Sequence, residues 1–468
     1  MKKTFVKGSL KLIILALFTV LFMAVASDVL RVHRDEAPDD TYQKVRGYYA
    51  LEQDKMDIIS FGTSHAYYGI NPGILYHETG LNNYVYAGEC QPIEVTVYYL
   101  KEALKTQKPK LVILDIFGMS ETSKGCRSEG IYRVNIEEMK WSLNKAEAYT
   151  TLPDQSVLGN MFDVSLYHNQ WSQLNMKRIA QAYATPFNPS FGATLGFNAS
   201  NENKGVMASA YTEKAKRPEN FEAFEEFLDI CNENDIKVLI IKTPCYLEEQ
   251  DKPYYRYVFD YCEEQGIDHI DFNMLKEELD YVHDRDGDIW HATVFGARKI
   301  NEYLGTYIKT NYGIEPYDTE LYKDEMEALY TRSVYECLLQ AMTTDQMMQT
   351  ARDFDVLTIV TYKHEDDLTL SDENIEVLKK MNIEVGRDNL VVLDHGVPVY
   401  ESTEEIKGYE YNGHVFDIDR NGMVVMDGQT INKGAVNVNM VVIDKHTMQK
   451  INGFCFDARN DLFGWVGE

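Results

Sequence analysis

Four residues carry the chemistry for which this sequence can be read. Ser64 closes the turn Gly62-Thr63-Ser64 behind a short apolar run, Gly88 ends a second such run, and Asp288 precedes His291 by three positions. A serine hydroxyl is a weak nucleophile until a base takes its proton, and an imidazole base needs a carboxylate to fix its tautomer. The spacing Asp288-Ile289-Trp290-His291 lets that carboxylate and imidazole pair within one tight turn. Backbone N–H groups of Ser64 and Gly88 would then face the oxyanion formed when Ser64 attacks an acyl carbonyl, usually the largest catalytic contribution. Singly, each signal is weak. A Gly-x-Ser turn is more often only a turn, a histidine ahead of a helix more often a cap, and Asp284, Asp286 and Asp288 alternate along one polar loop. Their order along the chain assembles them into a candidate nucleophile, base, orienter and oxyanion donor. His65 adds a second imidazole beside Ser64, although adjacent residues seldom point the same way.

An open parallel sheet collects such residues, because its ligand sites lie at the carboxyl ends of the strands. Residues 56–61, 84–87, 110–117, 237–243 and 267–272 read as strands. The runs KLVILDIF and KVLIIKT are continuously apolar, as strands buried on both faces are. Helical periods cover 93–104, 221–232, 254–265 and 296–308, so strands alternate with helices and predict a doubly wound α/β domain over 50–312. Residues 120–215 are aromatic-rich without a clear period and are expected to form an irregular insertion over the strand ends, where substrate would sit. A charged helical connector, 313–335, leads to a smaller domain over 336–468. There a strand at 354–362, a helix at 371–381, a strand at 390–394 and later short strands with Asp427-Gly428 and Lys433-Gly434 turns predict an α+β unit. Glu365, Asp366, Asp367 and Asp372 lack the EF-hand register and read as a solvated acidic loop.

At the other end, Lys2, Lys3, Lys7 and Lys11 precede an apolar stretch from residue 12 to 26. This pattern predicts a signal anchor over 1–34 with its basic end in the cytoplasm and the bulk of the chain outside. Ala24-Val25-Ala26 also satisfies the small-residue rule for cleavage, which would instead release the protein near Ala26. The net charge of −28 argues against nucleic acid and against electrostatic attraction to anionic lipid, and it favours a neutral partner such as an uncharged glycan. Seven scattered cysteines include no CxxC or Cys/His pair, so neither a metal nor another cofactor is expected.

The blocks FGTSHAYYGINP (61–72), AGECQP (87–92), YYLKEALKTQKPKLVILDIFG (98–118) and DIWHATVFGARKINEYLG (288–305) resemble the SGNH/GDSL hydrolase superfamily. They are most similar to its membrane-anchored bacterial branch, which includes proteins that O-acetylate exported polysaccharides or support teichoic-acid D-alanylation. The resemblance implies a three-layer α/β/α flavodoxin-like fold, with Ser64 as nucleophile, His291 as base, Asp288 as its orienter and Gly88 as an oxyanion donor. The sequence departs from the pattern in places. LDIFGMSE (114–121) replaces the usual Gly-x-Asn-Asp block, Thr63 stands where the motif has Asp, and Thr293 where it often has Asn. The side-chain oxyanion donor is therefore missing, and Gln91 is the residue placed to substitute for it.

Residues 353–400 and 439–457 resemble an interleukin-like EMT inducer/PANDER-type domain with its halves in swapped order, which implies glycan binding. The expected function is an extracytoplasmic serine esterase or O-acyltransferase acting on cell-surface carbohydrate. The alternative is an inactive accessory or glycan-binding protein that partners a membrane-bound O-acyltransferase.

Overall fold

The computed structural model describes residues 2–33, 41–152, 164–196, 211, 213–275, 279, 291–340, 350–352, 354–366 and 370–456. They form two compact units, the first reaching Leu329 and the second starting at Tyr330.

In the first unit, β1 (Ile58–Phe61), β2 (Asn83–Val85), β3 (Leu111–Asp115), β4 (Lys237–Lys242) and β5 (Asp268–Asp271) form one parallel sheet in the order β2-β1-β3-β4-β5. The helices Ile93–Ala103, Phe221–Glu233 and Lys252–Gln265 pack on one face through residues such as Tyr99, Phe227 and Val258. Ser64–Gly69, Pro72–Thr79 and Val294–Asn311 cover the other through Tyr67, Leu75, Ile300 and Leu304. Both faces are thus buried, which is why β3 reads Leu-Val-Ile-Leu without polar alternation. Phe61 pairs in register with Leu114, Asp115 with Ile241, and Lys242 with Asp271, so the carboxyl ends share one edge.

One expectation needs correction. The segment expected to be irregular holds the helices Glu129–Glu137, Leu143–Ala148, Val164–Tyr167 and Met176–Tyr183. Each is too short for a readable period, and Ser128, Ser142 and Asn175 cap three of them. The connector is helical from Lys323, and the residues ahead of that helix are bonded to the first unit. The Tyr317 N–H donates to Asp57 Oδ1 at 2.8 Å, and the Tyr322 hydroxyl accepts the Glu52 N–H at 2.6 Å. Met326 and Leu329 then join the first unit's core, and the division falls inside the helix Lys323–Gln340.

The N-terminal helix α1 (Lys2–Leu30) is long and apolar enough to cross a membrane, with a mean hydropathy of 2.5 over an 18-residue stretch within Gly8–Leu30. Its far end is fixed to the first unit: the Val164 N–H donates to Ser27 Oγ at 3.1 Å, and Arg178 Nη2 donates to the Leu30 carbonyl at 3.0 Å.

The second unit contains β6 (Val356–Tyr362), β7 (Asn389–Asp394), β8 (Val397–Ser402), β9 (Ile406–Tyr411), β10 (His414–Ile418), β11 (Val424–Met426), β12 (Gln429–Asn432), β13 (Val438–Asp444) and β14 (Lys450–Phe456). These make two antiparallel sheets, β14-β13-β6-β7-β8 and β12-β11-β10-β9, joined by a core including Ile359, Val392, Phe416 and Val441. The helix Asp372–Lys380 completes an α+β unit.

Candidate active site

Ser64 leaves β1 through a turn that requires glycine. Gly62 has φ +144°, and a Cβ there would lie 3.0 Å from the Cβ of Asp115. Thr63 then caps the next helix, its hydroxyl accepting the His65 N–H at 3.2 Å. The chain therefore turns sharply at the carboxyl edge of the sheet, and the first-turn Ser64 N–H has no acceptor within its helix.

His291 lies just ahead of Val294–Asn311, on the same face of the sheet as the Ser64 helix, and the cap Thr293 accepts the Gly296 N–H at 3.3 Å. Asn301 laces that helix to the Ser64 segment: its Nδ2 donates to the Gly69 carbonyl at 2.9 Å, and its Oδ1 accepts the Asn71 N–H at 3.0 Å. Each such buried bond contributes about 1 kcal/mol. His291 Nε2 comes to lie 2.8 Å from Ser64 Oγ. With the imidazole proton on Nδ1, the hydroxyl donates to Nε2, and the base is in reach of the proton it would take. Asp288 lies outside the described residues.

Of the three expected oxyanion groups, Gly88 and Gln91 have protein partners. The Gly88 N–H donates to the Gly62 carbonyl at 3.3 Å, a long bond. Gln91 is buried, its Nε2 donating to Asn135 Oδ1 at 3.2 Å and its Oε1 accepting from Thr96 Oγ1 at 2.9 Å. Asn135 itself was not legible as a site residue, because it comes from the insertion. Its Nδ2 donates to the Glu89 carbonyl at 2.9 Å, and its Oδ1 lies 1.7 Å from where a Gly88 Cβ would be. Gly88→Ala is therefore expected to destabilise the fold by about 1–3 kcal/mol. Adding Asn135→Gly should recover part of that loss, as thermal unfolding of the single and double variants will measure.

His65, next to Ser64 in the first turn of the same helix, brings a second imidazole close to that of His291. Its ring stacks on Phe117 at 3.7 Å, and its centroid is 5.2 Å from that of His291. Burial, with the charges of His291 and Lys242, holds its pKa well below the ordinary 6.5. The unfolded chain binds the proton first, so this residue makes the protein lose stability as pH falls through and below 6.5. His65→Phe should flatten that slope, which approaches about 1.4 kcal/mol per pH unit for one proton. Denaturant midpoints of both proteins across that range test this.

Beneath His65, Asp115 accepts the Phe117 N–H at 3.1 Å, and also the Thr243 N–H at 2.9 Å and hydroxyl at 2.8 Å. Burial raises the Asp115 pKa, and these bonds oppose the rise. Lys242 is fully buried, donating to Asn273 Oδ1 with Cys245 Sγ at 3.4 Å. These groups brace the strand ends on which Phe117 rests.

A cleft lined by Lys110, Lys237, Tyr312 and Tyr317 lies at the amino ends of β3 and β4, away from Ser64. Open parallel sheets bind ligands at the other edge, so it is not assigned the chemistry. Among the described residues no three His, Cys, Asp or Glu side chains gather as metal ligands. Comparison with protein-family models and with curated proteins finds no match.

Proposed function

We propose that this chain is an extracytoplasmic serine esterase or O-acyltransferase of the SGNH type, acting on acyl groups, O-acetyl foremost, of cell-surface or exported carbohydrate. The 2.8 Å contact between Ser64 Oγ and His291 Nε2 carries this reading. The strand order 2-1-3-4-5 with helices on both faces supports a flavodoxin-like SGNH fold. In the reaction, Ser64 Oγ attacks the acyl carbonyl while its proton passes to His291. Collapse of the tetrahedral oxyanion expels the sugar oxygen, which takes the proton back from His291. Water or a second sugar hydroxyl then resolves the acyl-serine, giving hydrolysis or transfer from one intermediate. Helix α1, with its basic start, serves as a single-pass anchor that leaves both units outside. The second unit is proposed to bind glycan.

A fluorophosphonate tests the reading directly: the detergent-solubilised full chain should be labelled at Ser64. Failure to label a folded protein would favour the second reading, an accessory glycan-binding protein beside a membrane-bound O-acyltransferase. The observation on that side is that the Gly88 N–H and the Gln91 amide already have protein partners.

A further inference from the structure

We propose that the helical insertion beside α1 is a membrane-seating surface, immersed in the outer interface of the lipid bilayer. The inference rests on the proposal that α1 spans the membrane. The charge-free part of α1, from residue 12 to residue 27, is about 24 Å long at 1.5 Å per residue. A bilayer's hydrocarbon core is about 30 Å thick. Counted from Lys11, about 30 Å of helix ends near Arg31, at the end of α1 that already carries protein. Leu12 to Phe22 are exposed to their surroundings, whereas from Met23 the helix becomes partly covered and Ser27 and Arg31 are buried.

What covers it is the helix Val164–Tyr167, the turn His168–Gln173 and the helix Met176–Tyr183. A span anchored by Lys11 on the inner side therefore brings these segments to the level where acyl chains give way to headgroups. Their chemistry fits that level. Trp171 is 70% exposed, Met176 77%, Leu166 47% and Leu174 40%, on the very segments that wrap α1. Tryptophan with aliphatic neighbours is the composition of a membrane interface. Of the charges at that depth, Arg31 pairs with Asp28 at 3.2 Å and with Glu138 at 3.9 Å, Arg178 is bonded to the Leu30 carbonyl, and the exposed Lys177 has the long apolar stem that lets an ammonium reach the headgroups. The protein's net charge of −28 disfavours electrostatic adhesion to anionic lipid, so apolar insertion is the attraction left.

The test places a photo-activatable phenylalanine in turn at Phe18, Trp171, Met176 and Glu226 of the full chain in phosphatidylcholine nanodiscs, with adducts read by mass spectrometry. Lipid adducts at positions 18, 171 and 176, with none at 226, are the expected result. Adducts at 18 without adducts at 171 and 176 would overturn the seating surface and leave the spanning helix intact. Absence of adducts at 18 would remove the spanning helix and the seating surface together. Chain-to-chain adducts at 171 or 176 in place of lipid would assign the surface to a second copy and overturn the proposal.

Discussion

Ser64→Ala is expected to lower turnover of an activated acetyl ester by about 10⁴-fold or more while leaving the unfolding temperature near that of the wild type. The side chain is 8% exposed, and the substitution removes one oxygen whose partner is His291 Nε2. Little packing is lost, but without the oxygen there is no acyl-serine. His291→Ala should cost the same order, because the alkoxide then forms without a base. Groups that act as a unit are not additive, so the double variant should be no worse than the single ones. Steady-state rates for the three variants measure this. Wild-type turnover in folded Ser64→Ala would remove the serine mechanism altogether.

Glu138→Gln is expected to cost about 3–5 kcal/mol, because it leaves buried cations without their counter-charge. The carboxylate accepts from His33 Nδ1 at 2.9 Å and from Arg46 Nε at 3.3 Å, with Arg31 Nη1 at 3.9 Å. Burial alone would raise its pKa; the hydrogen bond from His33 and the charges of Arg31, His33 and Arg46 outweigh burial and hold it down to about 2. Its contribution is accordingly present above the ordinary carboxyl value of 4.5 and lost as pH falls toward 2. Unfolding of the full chain in detergent, near neutral pH and in acid, measures both effects. A change within about 0.5 kcal/mol at neutral pH would place Glu138 among ordinary surface positions.

The sheet was readable where burial on both faces leaves a simple mark. The runs around Ile113 and Ile240 are continuously apolar because β3 is buried throughout and β4 is buried from Leu239 onward. Their neighbours in the sheet were not readable, since strand order depends on pairing across long stretches of chain. The helices Ser64–Gly69 and Pro72–Thr79 escaped notice for a local reason: they are set by the caps Thr63 and Asn71 over too few residues to establish a period. Ser64 and His291 could be proposed from their place at the ends of expected elements. The stacking of His65 on Phe117, and the close approach of Asn135 to Gly88, depend on proximity between residues far apart in sequence or on opposite sides of a loop. No spacing rule carries that information.

The attachment of α1 to the first unit also limits where this protein can work. A flexible linker lets a tethered domain sweep a radius that grows with the square root of its length, about 5–6 Å × √n for a Gly-rich chain. Here Ser27, Leu30 and His33 are bonded into the folded unit immediately beyond the apolar helix. With α1 as the proposed membrane span, the sweep collapses to lateral diffusion in two dimensions and rotation about one axis. On that proposal Ser64 is held at a single altitude above the bilayer, where the acceptor of the proposed chemistry must be presented.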